Sequence, residues 1–230
     1  MKAMILAAGL GKRMRPLTDN TPKPLLRVAG RYLIEFHLER LAESGFKEVC
    51  INTHWLGEQL PEALGNGERW GLNVQYHHEN TLLETAGGIL AVLPLLSEGE
   101  QPFLVVNGDV YTELNLQTWL NEAPEINTEN LAHLALVKNP SHHLKGDFGI
   151  DTETGKLSVF GEQSTAFTYS GIALFHPDFF KGLDAGPSPL APLLKKYIQA
   201  QRVSGKLISD YWLDVGTPER FDELKLRLEG

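Results

Sequence analysis

Three short stretches carry residues whose types and spacing suit phosphate chemistry. The first is Ala8-Gly9-Leu10-Gly11-Lys12-Arg13-Met14-Arg15-Pro16, which follows directly on the apolar run Lys2 to Ala7. Glycines let backbone N–H groups converge closely on an anion and adopt φ > 0, while Lys12, Arg13 and Arg15 add mobile positive charge. It is not a Walker loop, because the second glycine comes too early and no Lys-Ser/Thr pair follows it. The other two stretches end in acids. Asp109 closes the apolar run Phe103 to Val106 through Asn107-Gly108, and Asp214 stands in Trp212-Leu213-Asp214-Val215-Gly216-Thr217-Pro218-Glu219. Hard Mg²⁺ takes one or two carboxylates and completes its shell with phosphate oxygens and water, so two acids far apart in sequence could meet on it. Taken singly, an acid after a strand is an ordinary turn residue, and Lys23 between Pro22 and Pro24 is an ordinary surface lysine.

The elements that must position these residues alternate along the chain. Lys2 to Ala7 reads as a buried strand, Ala8 to Pro24 as a loop, and Tyr32 to Ser44 as a helix closed by Gly45. Strands at Val49 to Asn52, Asn73 to His77, Phe103 to Val106 and Leu131 to Val137 are interleaved with helical segments. Those segments are Leu56 to Leu64, Thr85 to Leu93 (with Pro94 after it) and Leu116 to Asn121. Such alternation predicts βαβ units: an α/β, Rossmann-like, mostly parallel sheet flanked by helices. After about Asn139 the rhythm changes to strand-like pieces separated by turns: Phe148 to Ile150, Lys156 to Phe160 and Phe167 to Phe175. They predict a small antiparallel extension, followed by helices at Leu190 to Ala200 and Glu219 to Leu228. Without repeats or a linker, one domain is expected over 1–230, in two parts of about 1–138 and 139–230.

Composition narrows the partners. A formal net charge of −8 in 230 residues, with 42% hydrophobic and 22% charged residues, argues against a general nucleic-acid surface. No apolar stretch reaches the roughly 20 residues that span a bilayer, and Gly11, Lys12, Arg13 and Arg15 interrupt the N-terminal run too early for a signal peptide. Cys50 is the single cysteine, which excludes a disulfide framework. A cytoplasmic protein, monomeric and without membrane or nucleic-acid partners, is predicted. The 8 histidines show no metal or triad spacing; His77-His78 and His142-His143 are read as adjacent strand residues whose side chains point apart.

The stretch Leu6 to Thr18, followed by Thr21-Pro22-Lys23-Pro24-Leu25-Leu26, resembles the signature of the sugar-1-phosphate nucleotidyltransferase family, and the likeness extends over nearly the whole chain. It implies the nucleotide-diphospho-sugar transferase fold, a nucleoside triphosphate and a sugar 1-phosphate as substrates, and Mg²⁺. By the resemblance, Ala8, Gly9, Gly11, Lys12 and Arg13 hold the triphosphate. Lys12 stands where the family usually has a small hydroxyl residue. Arg13, Lys23 and Asp109 are implied as catalytic, and Asp109 and Asp214 as metal-binding. The segment from Glu79 and Asn80 through Thr85 to Gly88 resembles the base-binding region, with Asn107 completing the nucleotide site. Asp147, Gly149, Glu162, Tyr169 and Gly171 lie in segments that resemble the family's sugar-contacting strands; Gln163 follows Glu162 where many relatives have lysine. A carboxylate at Glu79 could accept from uracil or from guanine, so the base stays open.

A single-domain form with the segment Leu83-Glu84-Thr85-Ala86-Gly87-Gly88 and no C-terminal hexapeptide-repeat domain is, by overall similarity, most like the members of that family that transfer uridylyl from UTP to N-acetylmuramate 1-phosphate. The resemblance implies that reaction in bacterial cell-wall recycling. Guanylyl transfer to mannose 1-phosphate, and uridylyl or thymidylyl transfer to glucose 1-phosphate, are the alternatives. A non-catalytic nucleotide-binding module is the reading of another class.

Overall fold

The computed structural model describes residues 1–159 and 166–230. In the first half, strands β1 (Ala3–Leu6), β2 (Arg27–Val28), β3 (Arg31–Tyr32), β4 (Glu48–Thr53), β5 (Asn73–His78) and β6 (Phe103–Asn107) alternate with α1 (Glu35–Glu43), α2 (Gln59–Leu64) and α3 (Glu84–Leu96). Then come β7 (Val110–Thr112), α4 (Leu116–Glu122), β8 (Ala132–Val137), β9 (Phe148–Ile150), β10 (Leu157–Val159) and β11 (Ala166–Phe175). The chain closes with α5 (Leu190–Gln199), β12 (Val203–Leu207), β13 (Trp212–Asp214) and α6 (Pro218–Glu229).

Among the described residues, nine strands form one mixed sheet, with parallel pairs β5–β4, β4–β1, β1–β6 and β8–β12. Strand β11 runs antiparallel to β6 and β8, and its first two residues pair instead with β9. The α/β, mostly parallel sheet and its small antiparallel extension are therefore both present.

Alternation of side chains through the sheet divides the core in two. Ala3, Ile5, Leu104 and Val106 face one layer with Leu38, Leu60, Leu116 and Trp119 of α1, α2 and α4. Met4, Phe103 and Val105 face the other, with Ile89 and Val92 of α3 and Leu190, Leu194 and Ile198 of α5. Burying each such side chain contributes about 2 kcal/mol, so the central strands are fixed by packing, independently of the polar residues that follow them. A third cluster, including Met14, Leu26, Tyr111, Leu213, Val215 and Phe221, ties the N-terminal loop to α6.

Two sequence expectations need correction, and two features of the sheet had no counterpart among them. Pro94 lies inside α3, near its end, because only the final turn has to tolerate its missing N–H. Strand β12 joins the main sheet parallel to β8 although its sequence, Val-Ser-Gly-Lys-Leu, lacks the apolar run of a buried strand. The three-residue strands β7 and β13, too short for any periodicity, form a separate antiparallel ribbon. His142 and His143 lie in a turn before β9, so they do not alternate as strand residues.

Candidate active site

At the carboxyl end of β1, the amide of Ala7 donates to Asn52 Oδ1 at 2.8 Å, which draws the chain toward β4. Of the two loop glycines, Gly11 alone is left-handed (φ 62°). It introduces a 3₁₀ turn, Lys12–Met14, in which Met14 is 1% exposed while Lys12 and Arg13 face outward. Met14 thus anchors the loop in the third cluster and leaves the cations displayed. A second 3₁₀ turn, Lys23–Leu25, has Pro22, Pro24 and Leu25 buried around Lys23. The turn fixes the lysine stem, and Lys23 Nζ donates to Asp109 Oδ2 at 2.7 Å.

Two short strands bring the acids together. Val110–Thr112 pairs with Trp212–Asp214, placing Asp214 opposite Val110, and the Val215 amide donates to the Asp109 carbonyl at 2.8 Å. Asp109 is held on one side by Lys23, and its side chain keeps 40% exposure toward the site. Burial alone would raise the pKa of Asp109; the charge and hydrogen bond of the Lys23 ammonium, with a smaller contribution from Arg13, outweigh it and hold the carboxyl below its ordinary value. Asp214 Oδ2 lies 3.3 Å from Arg220 Nη2 and 3.8 Å from His142 Nε2. Burial and the nearby Arg220 hold the His142 pKa below its ordinary value against the pull of Asp214.

No group of three or more His, Cys, Asp or Glu suited to a metal exists among the described residues. Two acids brought onto neighbouring backbone positions by the β7–β13 pairing suit a hard cation that completes its shell from phosphate and water. The donor set therefore fits the group implied by the sequence.

A cavity of about 250 Å³ opens along this carboxyl edge, lined by Ala8, Gly9, Lys23, Glu79, Thr85, Asn107 and Asp109 among others. A second, of about 320 Å³, is lined by Asp147, Phe148, Tyr169, Leu190 and Leu194, and shares Glu84, Thr85 and Asn107 with the first. Nine of the 18 sequence-predicted residues thus line two adjoining spaces, and Asp214 lines neither. Gly11, Lys12 and Arg13 form the rim loop.

The remainder sit differently. Glu79 lines the first cavity at 2% exposure, but both oxygens are engaged: Oε1 accepts from Asn52 Nδ2 at 2.7 Å and Oε2 from the Leu83 amide at 3.0 Å. Asn80 is exposed and lies outside the cavity lining. Gly88 is buried behind Glu79. Gly149 packs against Ser158 within the β9–β10 pair. Gly171, with φ 83° at the irregularity of β11, leaves room for Asn107, whose Nδ2 would lie 2.7 Å from a Cβ there. Its contribution to the cavities is therefore made through Asn107. Glu162 lies outside the described residues.

Sequence reasoning missed Asn52, Glu84, His142 and Arg220. Asn52 carried a usable signal, being the polar residue that ends an apolar strand, as Asp109 does. Arg220 carried another: a cation in the first turn of α6 opposes the helix dipole, a local rule broken beside an acid.

A carboxyl edge bearing Lys23 and Asp109, with Asp214 on the paired strand, suits phosphoryl-group chemistry, and the comparisons place the chain in such a class. The chain belongs to the Nucleotidyl transferase family, whose sequence model matches residues 2–229; it is a nucleotidyltransferase. It is 49% identical over 226 residues, 97% of this chain and 96% of the relative, to the N-acetylmuramate alpha-1-phosphate uridylyltransferase of Neisseria meningitidis serogroup B. Mannose-1-phosphate guanyltransferase beta-A of Xenopus laevis is 28% identical over 230 residues, 96% of this chain and 62% of the relative.

Two solved structures share the fold at 19% identity. One is a Bacillus anthracis protein assigned as a glucose-1-phosphate thymidylyltransferase and complexed with sucrose (TM-score 0.84, covering 99% and 95% of the two chains). The other is HddC from Yersinia pseudotuberculosis complexed with GMP-PN (TM-score 0.77, 98% of each). No helix among the described residues is long and apolar enough to cross a membrane.

Proposed function

We propose that this nucleotidyltransferase moves the uridylyl group of UTP onto N-acetylmuramate 1-phosphate, giving a UDP-sugar and pyrophosphate in bacterial cell-wall recycling. The observation that carries the reaction type is the Lys23–Asp109 pair on the edge of the first cavity, with Asp214 on the strand paired beside it and Asp214 and Arg13 both reaching Gly216. The substrates rest on the 49% identity, along almost the entire chain, to the Neisseria enzyme of that name.

The sugar phosphate is already an anionic nucleophile, so no general base is required. Its oxygen attacks the α-phosphorus in line, a new P–O bond forms, and the α–β bridge breaks with its electrons leaving on pyrophosphate. Arg13 and the loop from Ala8 to Lys12 hold the triphosphate. Lys23 neutralises the sugar phosphate and the α-phosphate. Asp109 and Asp214 hold Mg²⁺, which when bound supplies charge neutralisation on the phosphate oxygens. Catalysis is then positioning and charge compensation.

At the base end, Thr85 and Asn107 complete the nucleotide site, with Gly88 packed behind Glu79. Asn52 and Glu79 brace the turn that presents Leu83 to Thr85. In the second cavity, Asp147 and Tyr169 are the sugar-side contacts, and Glu162 is assigned to the sugar on its sequence motif alone. The enzyme acts in the cytoplasm as a monomer.

The test is a pyrophosphate-release matrix of UTP, dTTP, GTP and CTP against the 1-phosphates of N-acetylmuramate, mannose, glucose and N-acetylglucosamine, with and without Mg²⁺. A dominant Mg²⁺-dependent signal with UTP and N-acetylmuramate 1-phosphate is expected. Preference for GTP with mannose 1-phosphate would move the enzyme to another branch, and silence throughout would leave a nucleotide-binding module.

A further inference from the structure

Glu84 is the first residue of α3 and has φ 57°, a left-handed conformation that a side-chain-bearing residue adopts at an energetic cost. Ala29, Leu56 and Gln201 share a positive φ, but of the four only Glu84 lines either cavity, and it lines both. The conformation is held from outside. The Leu83 amide donates to Glu79 Oε2, the Ala86 and Gly87 amides both donate to the Ser188 carbonyl, and the Ser188 amide donates back to the Leu83 carbonyl. A backbone fixed by so many partners could accommodate glycine at this position without strain, yet it carries a carboxylate that makes no hydrogen bond or ion pair with any described residue.

The second cavity shows what that carboxylate meets. Its α5 wall is apolar, built by Pro189, Leu190, Ala191 and Leu194, and the charged side chains in its lining are both acids, Glu84 and Asp147. Among the described residues no lysine or arginine lines it, whereas Lys23 lines the first cavity. Such a space offers acceptors to the hydroxyl and amide N–H donors of a sugar ring. Asp147 is already engaged, with Oδ1 3.0 Å from His143 Nε2 and Oδ2 accepting from the Tyr169 amide at 2.8 Å. Among the described residues, the unengaged charged acceptor facing this space is Glu84.

We propose that Glu84 is a specificity-determining residue whose carboxylate accepts from a hydroxyl or amide N–H of the sugar 1-phosphate. The inference rests on the proposed sugar-nucleotidyl transfer and adds the residue that selects the sugar. A hydrogen bond to a charged acceptor is worth enough to change affinity by about 10- to 100-fold.

Steady-state kinetics and thermal melting of wild type, Glu84→Gly, Glu84→Ala and Glu84→Gln test it. Glu84→Gly relieves the backbone, so its melting temperature should equal or exceed that of the wild type. Its KM for the sugar 1-phosphate should rise about 10- to 100-fold, with the KM for the nucleotide unchanged within about twofold. Glu84→Ala should show the same kinetic loss, and Glu84→Gln, which keeps an acceptor, a smaller one. A shift confined to the nucleotide KM, or unchanged kinetics in Glu84→Gly, would overturn the inference alone. Absence of wild-type turnover with every substrate pair would overturn it together with the proposed reaction.

Discussion

Lys23 Nζ and Asp109 Oδ2 are 2.7 Å apart, joining a proline-braced turn near the N-terminus to the end of β6 across 86 residues. The lysine side chain is 10% exposed and the aspartate 40%, so the cation is fixed while the acid still faces the cavity. Lys23→Met should therefore lower turnover by about 10²- to 10³-fold, the usual effect of losing one preorganised donor to a developing charge. Asp109→Asn should lose metal-dependent turnover and keep the fold. Rates measured beside circular dichroism check both. Near-wild-type rates in either variant would contradict the assignment.

Gly216 lies between the cations that surround Asp214. A Cβ at this position would collide with Arg220 Nη2 and lie 2.8 Å from Asp214 Oδ1 and 3.2 Å from Arg13 Nη2. Both guanidinium ends can move, so Gly216→Ala should fold with a small loss of stability. Its activity should fall at least tenfold, because Asp214 and Arg13 are displaced together. Arg220→Met, which frees Asp214 from its closest competing cation, should tighten Mn²⁺ binding, measured by paramagnetic resonance. Unchanged Mn²⁺ affinity would show that Arg220 has only a packing role.

Gly171 is the corresponding position in β11. Alanine there would have to adopt φ 83° and press on Asn107, which lines both cavities. Gly171→Ala should lower stability by about 1–2 kcal/mol and raise the KM of both substrates. Chemical denaturation and kinetics read the two effects separately.

His37 makes stability pH-dependent. It is 3% exposed under the site, and its Nε2 has no partner among the described residues. Burial, reinforced by Arg40, pushes its pKa down to about 3, against the Val110 backbone hydrogen bond and Asp109. The unfolded chain, with a pKa near 6.5, binds the proton first, so stability is lost as pH falls below 6.5 and continues to fall toward 3. At pH 5 the loss from His37 is at most about 2 kcal/mol, and His133, lowered to about 4 by burial and Lys206, adds to it. Urea midpoints at pH 7 and pH 5 should differ in the wild type and differ less in His37→Leu.

The sheet was legible because β1, β4, β6 and β8 are apolar runs whose burial alone fixes them. The phosphate loop, Lys23 and the acids were legible as departures from such runs. The ribbon that brings Asp109 beside Asp214 was not, since three-residue strands show no period and their pairing depends on Tyr111, Leu213 and Val215 packing under α6. Nor could sequence show that both Glu79 oxygens are engaged internally: a buried acid and a ligand-reading acid look alike until the partners Asn52 and Leu83 are placed. Glu84 was hidden for the opposite reason, because only the backbone angle distinguishes it from an ordinary helix-starting acid.

The central claim is attack on the α-phosphorus at the Asp109–Asp214 edge. Its most direct test follows separately α- and γ-labelled UTP incubated with N-acetylmuramate 1-phosphate and Mg²⁺, in the wild type and in Asp214→Ala. The account predicts α-label in the UDP-sugar and γ-label in pyrophosphate, both lost in Asp214→Ala while its fold persists. Release of γ-label as orthophosphate, or undiminished transfer by Asp214→Ala, would contradict it.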